Sequence, residues 1–218
     1  MLAVSGESMV YRFSYGHSER AKRGERNERF LDPRLTAGQL AALLGPLDGA
    51  VDVVVVRIRR IFPNEGVGWM QFVDMVAPWL DALPAGYRYV LETGNPEYVV
   101  PEYLECLRVR NIGHLLRHNI DRSLLDRIQD PEILTAGAVV VRREQEDAGP
   151  PVPRRRHNRG GDEEWKLGVI ATVRRCVELG ITLYISVPEE ETALMEETVA
   201  LMDGDLARLS PFRKRMVA

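Results

Sequence analysis

The sequence has few of the features that identify specialised protein classes. Its two cysteines, Cys106 and Cys176, are too few for a disulfide scaffold, and neither has a partner at metal-site spacing. No apolar run approaches the roughly 18 residues of a membrane helix, and the first residues lack the pattern of a signal peptide. A net charge of -3 gives no general attraction to nucleic acid or anionic membranes. We therefore expect a cytoplasmic protein with no membrane segment, no metal and no cofactor.

Common catalytic motifs are also absent from the sequence. It contains no GxxxxGK[ST], no HExxH and no GxSxG, and no internal repeat is evident. No glycine-rich phosphate turn follows the first predicted strand, which disfavours an open dinucleotide-binding fold. Function must therefore be argued from the fold and from individual side chains.

Strand and helix patterns alternate along the chain. Four consecutive valines, Val53–Val56, suit a strand that is buried on both faces, as in parallel sheets. Alternation of this kind predicts βαβ units, in either an open doubly wound sheet or a (β/α)₈ barrel. Thr36 is the predicted cap of the first helix. Six strands are predicted, at 10–15, 51–58, 87–92, 112–116, 138–141 and 181–187.

The composition predicts one domain over 1–218 with two irregular segments. Residues 144–164 are rich in proline, glycine and charge and have almost nothing to bury, so we predict a mobile loop there. The basic end of the chain, residues 210–218, is predicted to be a frayed tail.

The segment 83–116 carries a family pattern in its residues LPAGYRYVLETGNPEYVVPEYLECLRVRNIGHLL. It has a Leu-Pro turn, an apolar strand that ends in Glu92, then Asn95, Pro96 and the aromatic Tyr98. This segment resembles the middle of the YecE-like family, domain of unknown function seventy-two. Weaker similarity in YRFSY, NERFLDP, LTAGAVVVRR and LYISV extends the resemblance over about 9–201.

The resemblance implies a TIM-like (β/α) barrel with polar residues at the C-terminal ends of its strands, where barrel enzymes place their sites. Two opening strands of the family have no counterpart before Val10, so about six strands remain and the barrel is expected to be incomplete. Unpaired strand edges could pair with a second copy in a homodimer. Three alternatives would explain the missing strands: a truncated protein, a gene start set too late, or strands supplied by a partner.

Several polar positions of the family are changed in this sequence. Gly16 stands in place of a lysine, Gly94 in place of an arginine, and Val187 with Pro188 in place of two asparagines. The family's Gln-x-Pro-Pro falls on residues 57–60, which include three arginines. Because these changes occur together, we expect degraded or no catalysis.

Side chains that follow predicted strands are the candidates for a site. Glu92 is the catalytic candidate as a general base, although a loop-anchoring salt bridge to Arg57 or Arg142 would also explain it. Arg57 and Arg142 could clamp an anion or form a structural cluster with that acid. Asn95 could orient a ligand or shape an Asn-Pro turn. The predicted ligand-binding residues are Arg57, Asn95, His118, Asn119 and Arg142.

Three functions remain open at this stage, and so does the question whether the protein is an enzyme. The first is the binding of a small anionic or phosphorylated ligand, with little or no catalysis. The second is a hydrolase or isomerase that acts on a phosphate ester or a sugar, with Glu92 as base. The third is a nucleic-acid or protein interaction module in the 144–164 segment, which would use Arg154, Arg155, Arg156 and Arg159.

Overall fold

A computed structural model describes the chain over residues 1–4, 9–11, 25–47, 49–118, 124–143, 159–188 and 191–206. Within these ranges lie seven strands and six α-helices, which alternate except that the fourth and fifth strands follow each other directly; the sequence predicted alternation with six strands. The strands are β1 (Leu2–Val4), β2 (Val53–Ile58), β3 (Arg88–Thr93), β4 (Gly113–His114), β5 (Leu116–His118), β6 (Ala138–Arg143) and β7 (Thr182–Ser186). The helices are α1 (Pro33–Leu44), α2 (Trp69–Asp81), α3 (Pro101–Arg108), α4 (Leu124–Ile128), α5 (Arg159–Leu179) and α6 (Thr192–Leu206).

The chain divides into two compact units. The first unit comprises Met1–Leu115 and Pro131–Val140, and the second comprises Leu116–Asp130 and Val141–Ala218. The strands form a four-stranded sheet in the order β1-β2-β3-β4 and a three-stranded sheet in the order β5-β6-β7. The predicted mixed α/β class is confirmed. No closed barrel is present among the described strands.

The four-stranded sheet of the first unit is parallel throughout. β2 and β3 are paired along their whole length, from Val53 opposite Arg88 to Ile58 opposite Thr93. Val53–Val56 are at most 1% exposed, as expected for a strand that is buried on both faces of a parallel sheet. The valine run thus forms the predicted central strand, and its C-terminal end positions the candidate site.

The first helix is capped by Asp32 and not by Thr36, which corrects the prediction. The Asp32 carboxylate accepts the backbone N–H groups of Arg34 and Leu35 at 2.9 and 3.1 Å, which satisfies two donors of the first turn. Thr36 lies inside α1 and is buried, and its hydroxyl accepts the indole N–H of Trp79 at 2.7 Å. This bond joins α1 to α2.

In the second unit, β5 and β6 are parallel, with Leu116 opposite Val141 and His118 opposite Arg143. The long helix α5 packs on α4 and contacts α6 and β7. Its buried side chains recur at helical spacing and form a single apolar stripe. They are Trp165, Val169, Val173 and Cys176.

The beginning of the chain differs from the prediction. The first strand is β1 at Leu2–Val4, whereas Val10 and Tyr11 lie outside any strand and residues 12–15 fall outside the described ranges. β1 pairs with β2 from Leu2 opposite Val54 onwards. β1 is a strand that the sequence pattern did not predict, and its three residues are enough to occupy this edge of the sheet.

Two further predicted elements are corrected. The predicted strand at 112–116 is two strands, β4 and β5, which are separated at Leu115 and belong to different sheets. The predicted loop at 144–164 ends early, because α5 begins at Arg159 and its first turn carries Asp162 to the β6 residue Arg143. The rest of that loop, 144–158, and the predicted tail at 210–218 lie outside the described residues.

None of the helices in the described part of the chain is long and apolar enough to cross a lipid bilayer.

Candidate functional site

Two candidate residues meet at the C-terminal ends of neighbouring strands. Arg57 of β2 lies opposite Glu92 of β3 in the parallel register. The Arg57 Nε is 3.2 Å from the Glu92 Oε1. The Glu92 side chain is 1% exposed, whereas that of Arg57 is 50% exposed. The buried carboxylate therefore pairs with a guanidinium group that reaches solvent, and Arg57 is one of the two partners that the sequence allowed for Glu92.

The chain continues from Arg57 as a basic strap, which we define as residues 57–62, RIRRIF. Its two isoleucines, Ile58 and Ile61, are at most 1% exposed. Their burial fixes the strap to the core, since each removes an apolar side chain from water. Its other four side chains are exposed. These are Arg57, Arg59, Arg60 and Phe62.

Hydrogen bonds fix the backbone of the basic strap from two sides. On one side, the Arg59 N–H donates to the carbonyl of Met9 at 3.0 Å. On the other side, the Gly94 N–H donates to the Ile58 carbonyl at 2.9 Å. The backbone of the strap is thus held in one conformation by its neighbours on both sides.

Asn95 forms a clamp on the strap. Its Oδ1 accepts the Ile61 N–H at 2.7 Å, and its Nδ2 donates to the Ile61 carbonyl at 2.8 Å. The same Nδ2 donates to Glu97 at 2.9 Å, so both amide hydrogens are used within the protein. Asn95 is 1% exposed. The geometry gives Asn95 a positioning role, and ligand binding by this residue stays a prediction.

Gly94 is required by the path of the strap. A Cβ at this position would lie 2.4 Å from the backbone N and 2.7 Å from the Cα of Arg60. No side chain fits so close to another backbone segment. The arginine that the resembled family has at this place therefore has no room here, and the glycine is a packing requirement of the strap.

The second unit holds a separate polar cluster at the ends of β5 and β6. Arg143 donates to Asp162 at 2.5 Å, and its Nε lies 2.6 Å from the Glu191 carboxylate. Its guanidinium carbon lies 5.7 Å from the ring centre of Trp165. His118 is 6% exposed, packs 5.4 Å from the same ring, and accepts the Leu124 N–H on its Nδ1 at 3.4 Å.

The arginine that forms the ion pairs of this cluster is Arg143, and the ligand-binding role of Arg142 stays a prediction. Arg142 is half-buried and lies opposite Arg117, whereas Arg143 lies opposite His118. The two arginines at the end of LTAGAVVVRR indicate a charged strand end, and the register with β5 places Arg143 opposite His118. Because Asp162 and Glu191 both pair with Arg143, its charge is already compensated, and the cluster is a poor site for an anion.

The predicted site residues are therefore distributed as follows. Arg57, Glu92 and Asn95 lie together in the first unit, and His118 and Arg142 lie in the second. Asn119, Arg154, Arg155 and Arg156 fall outside the described residues. Arg159 begins α5, and its side chain is not described. No group of three His, Cys, Asp or Glu suited to a metal ion occurs among the described residues.

The groups with clearly shifted pKa values in the core are kept in their neutral form. Burial raises the pKa of the Cys176 thiol to about 12 and that of the Tyr89 phenol to about 12. Burial also raises the pKa of Cys106 and of Tyr98, whose hydroxyl donates to the Val67 carbonyl at 2.6 Å. Because thiolates are the reactive form of cysteine, neither Cys106 nor Cys176 has the character of a nucleophile.

Comparison with known proteins supports the fold. The structure is similar to the crystal structure of a DUF72 family protein from Thermotoga maritima, with a TM-score of 0.55 and 12% sequence identity. The match covers 79% of this chain and 66% of the Thermotoga protein, so the chain spans about two thirds of that protein's length. The sequence matches no protein-family model and no curated protein. The predicted resemblance to this family is thus confirmed at the level of the fold.

Proposed function

We propose that the protein binds a small anionic or phosphorylated ligand at the C-terminal edge of β2 and β3, with degraded or no catalysis. The observation that carries this proposal is the half-exposed guanidinium of Arg57, which the buried Glu92 holds at 3.2 Å. Ligands of α/β proteins bind outside the carboxyl ends of parallel strands. Arg57 stands at that edge and is paired with Glu92.

The charge around Arg57 favours an anion. Arg59 and Arg60 follow on the same strap and are exposed, so the strap presents three guanidinium groups to solvent, while the buried Glu92 pairs with Arg57 and Glu97 is bound by Asn95. A guanidinium group carries donors in a planar fork that matches phosphate and carboxylate oxygens. Since the strap backbone is hydrogen-bonded on both sides, little conformational entropy is lost when an anion binds.

Binding without catalysis fits the position of Glu92 better than a hydrolase or isomerase does. A general base must come within hydrogen-bonding reach of a substrate proton. Glu92 is 1% exposed and is engaged by Arg57, so we infer that it positions the arginine. The interaction module that would use Arg154–Arg159 stays a prediction, because no described contact favours it.

Isothermal titration of the full chain with ribose 5-phosphate tests the proposal. Wild-type protein is expected to bind, and Arg57→Met is expected to raise the dissociation constant at least about tenfold, since a charged hydrogen bond contributes about 1.5–3 kcal/mol. Arg88→Met is the matched control. Arg88 is an exposed arginine at the opposite end of the same strand pair, where it faces Val53 in the register.

The control variant removes the same charge from the same sheet, so it separates a site from a general effect of net charge. The proposal fails if wild type does not bind, or if Arg57→Met and Arg88→Met weaken binding equally. Glu92→Gln adds a second arm, since it removes the anchor of Arg57 and leaves the arginine in place. We expect weaker binding in Glu92→Gln and no turnover of phosphate esters in wild type.

We further propose that the chain is a single domain with an incomplete TIM-like barrel arrangement. The support is the parallel pairing of β1–β4 and of β5 with β6, together with the fold similarity to the Thermotoga protein. A homodimer through unpaired strand edges is the associated prediction. Light scattering coupled to size exclusion tests it, and a mass of 24.7 kDa at all concentrations would contradict it.

The setting of the protein is likewise proposed to be a reducing one, the cytoplasm. The support is that Cys106 and Cys176 are both free and buried.

A further inference from the structure

Phe62 is the aromatic residue of the basic strap, and its side chain is exposed and not part of the core. It is 57% exposed, whereas Ile61 beside it is 1% exposed. Phe62 makes no ring-ring or cation-ring contact with any other residue of the described ranges. A single exposed apolar residue is ordinary on a protein surface. What distinguishes Phe62 is its position on a fixed backbone directly after three exposed arginines.

We propose that the ligand of the basic strap carries an aromatic base as well as a phosphate, in other words that it is a nucleotide. The inference rests on the proposed anion site and specifies its ligand class. The base stacks on Phe62, and the phosphate contacts the guanidinium group of Arg60 together with that of Arg57 in the anion site. Every nucleobase has a flat face that stacks on an aromatic ring, so this contact selects the class and not one base.

The spacing within the strap fits such a ligand. Arg60 and Phe62 are two residues apart, so their Cα atoms are at most about 7 Å from each other. A nucleoside monophosphate extends over a similar span from its base to its phosphate, and the arginine side chain adds reach. A sugar phosphate or an inorganic anion would engage the arginines and leave Phe62 without a partner.

Hydrogen bonds hold the backbone on both sides of Phe62. Its carbonyl accepts the Glu65 N–H at 3.0 Å, and the residue before it is held by the Asn95 clamp through bonds of 2.7 and 2.8 Å. Its backbone is extended, with φ -77° and ψ 149°, and Pro63 follows it. The ring is thus presented from a backbone that is fixed on both sides, as a stacking platform requires.

The experiment compares AMP with ribose 5-phosphate, which is the same molecule without the base, by isothermal titration of the full chain. Wild type is expected to bind AMP about tenfold more tightly than ribose 5-phosphate, the usual size of one base-aromatic stack. Phe62→Leu keeps the apolar area and removes the flat face. This variant is expected to bind both ligands equally, with the affinity of wild type for ribose 5-phosphate.

Further variants identify the two halves of the site. Phe62→Tyr is expected to keep the tenfold preference for AMP. Arg60→Met is expected to weaken AMP and ribose 5-phosphate by the same factor. Leu43→Ala is the matched control, since Leu43 is an apolar side chain of α1 that is 43% exposed. It is expected to leave both affinities unchanged.

The outcomes separate this inference from the proposed function. If wild type binds AMP and ribose 5-phosphate equally and Phe62→Leu changes neither, the nucleotide inference is overturned and the anion site stands. If neither ligand binds, both are overturned. A short single-stranded oligonucleotide forms the last arm. If the oligonucleotide binds more tightly than AMP and this binding is lost in Phe62→Leu, the base-and-phosphate chemistry stands. The ligand would then be a nucleic-acid strand and not a free nucleotide.

Discussion

The clamp formed by Asn95 allows a stringent prediction, because its contribution to stability can be worked out from the structure. Asn95→Ala removes the acceptor of the Ile61 N–H and the donor of the Ile61 carbonyl, which lie at 2.7 and 2.8 Å. Both backbone groups belong to a residue that is 1% exposed. Each buried group left without its partner costs about 1–3 kcal/mol. We expect the free energy of unfolding to fall by about 3 kcal/mol in total.

Urea denaturation followed by far-ultraviolet circular dichroism measures this loss as a lower midpoint at unchanged slope. In a thermal melt the same loss corresponds to about 6–12 °C for a chain of this size. The control is Asn111→Gly. Asn111 has φ 51°, which glycine adopts without strain, and its side chain accepts only the exposed Gly137 N–H at 3.3 Å. Its expected cost is below about 1 kcal/mol.

The reasoning is refuted if Asn95→Ala costs no more than Asn111→Gly. It would also be refuted if Asn95→Ala were destabilised as expected but bound ribose 5-phosphate as tightly as wild type. In that case the clamp would support the fold without holding the strap in its binding conformation.

Three other predictions concern packing, charge and ionisation. Gly94→Ala is expected to lower the free energy of unfolding by about 2 kcal/mol in urea denaturation, because the new Cβ would lie 2.4 Å from the Arg60 backbone. Its control is Gly38→Ala, which has open space around its Cβ and should stabilise the protein by about 0.5 kcal/mol. Arg143→Met should destabilise the protein by at least about 2 kcal/mol, because it leaves Asp162 and Glu191 without their cation. Its control is Glu163→Gln on the exposed surface, which should change stability by less than about 0.5 kcal/mol. Cys176 should resist iodoacetamide at pH 8.5 until the chain unfolds, as measured by mass spectrometry. Since its pKa is raised from 9.0 to about 12 on folding, its contribution to stability is complete below about pH 9 and is lost as the pH rises towards 12.

The strands of the site could be predicted because their signals are local. Val53–Val56 and the apolar run before Glu92 identify two buried strands from composition alone. The helix between these two strands makes them parallel, so that Arg57 and Glu92 reach the same edge of the sheet. The sequence left Arg57 and Arg142 open as partners of Glu92, and the structure shows the ion pair with Arg57 at 3.2 Å.

Other features could not be predicted because long-range contacts decide them. Asn95 and Ile61 are 34 positions apart, and nothing in an Asn-Pro turn indicates that its amide will bind a second backbone segment. The sequence analysis therefore treated Gly94 as a lost arginine, when the strap backbone leaves no space for a side chain there. β1 consists of three residues and carries too little pattern to be recognised without its partner β2.

The position of Arg143 in the second unit shows the same limit on a smaller scale. Arg142 and Arg143 end the same strand, and the sequence does not fix the register with β5. The register sets Arg143 opposite His118, and the first turn of α5 supplies Asp162 to it. A shift of one residue would exchange the two arginines, since successive side chains in a strand point to opposite faces.

The most direct test of the central claim is a map of the ligand site by amide chemical shifts during titration with ribose 5-phosphate. The account predicts that the largest shifts fall on the basic strap, residues 57–62, and on residues 92–95, with little change in the second unit. Shifts concentrated instead around Arg143 and Asp162, or spread evenly over all exposed arginines, would contradict it.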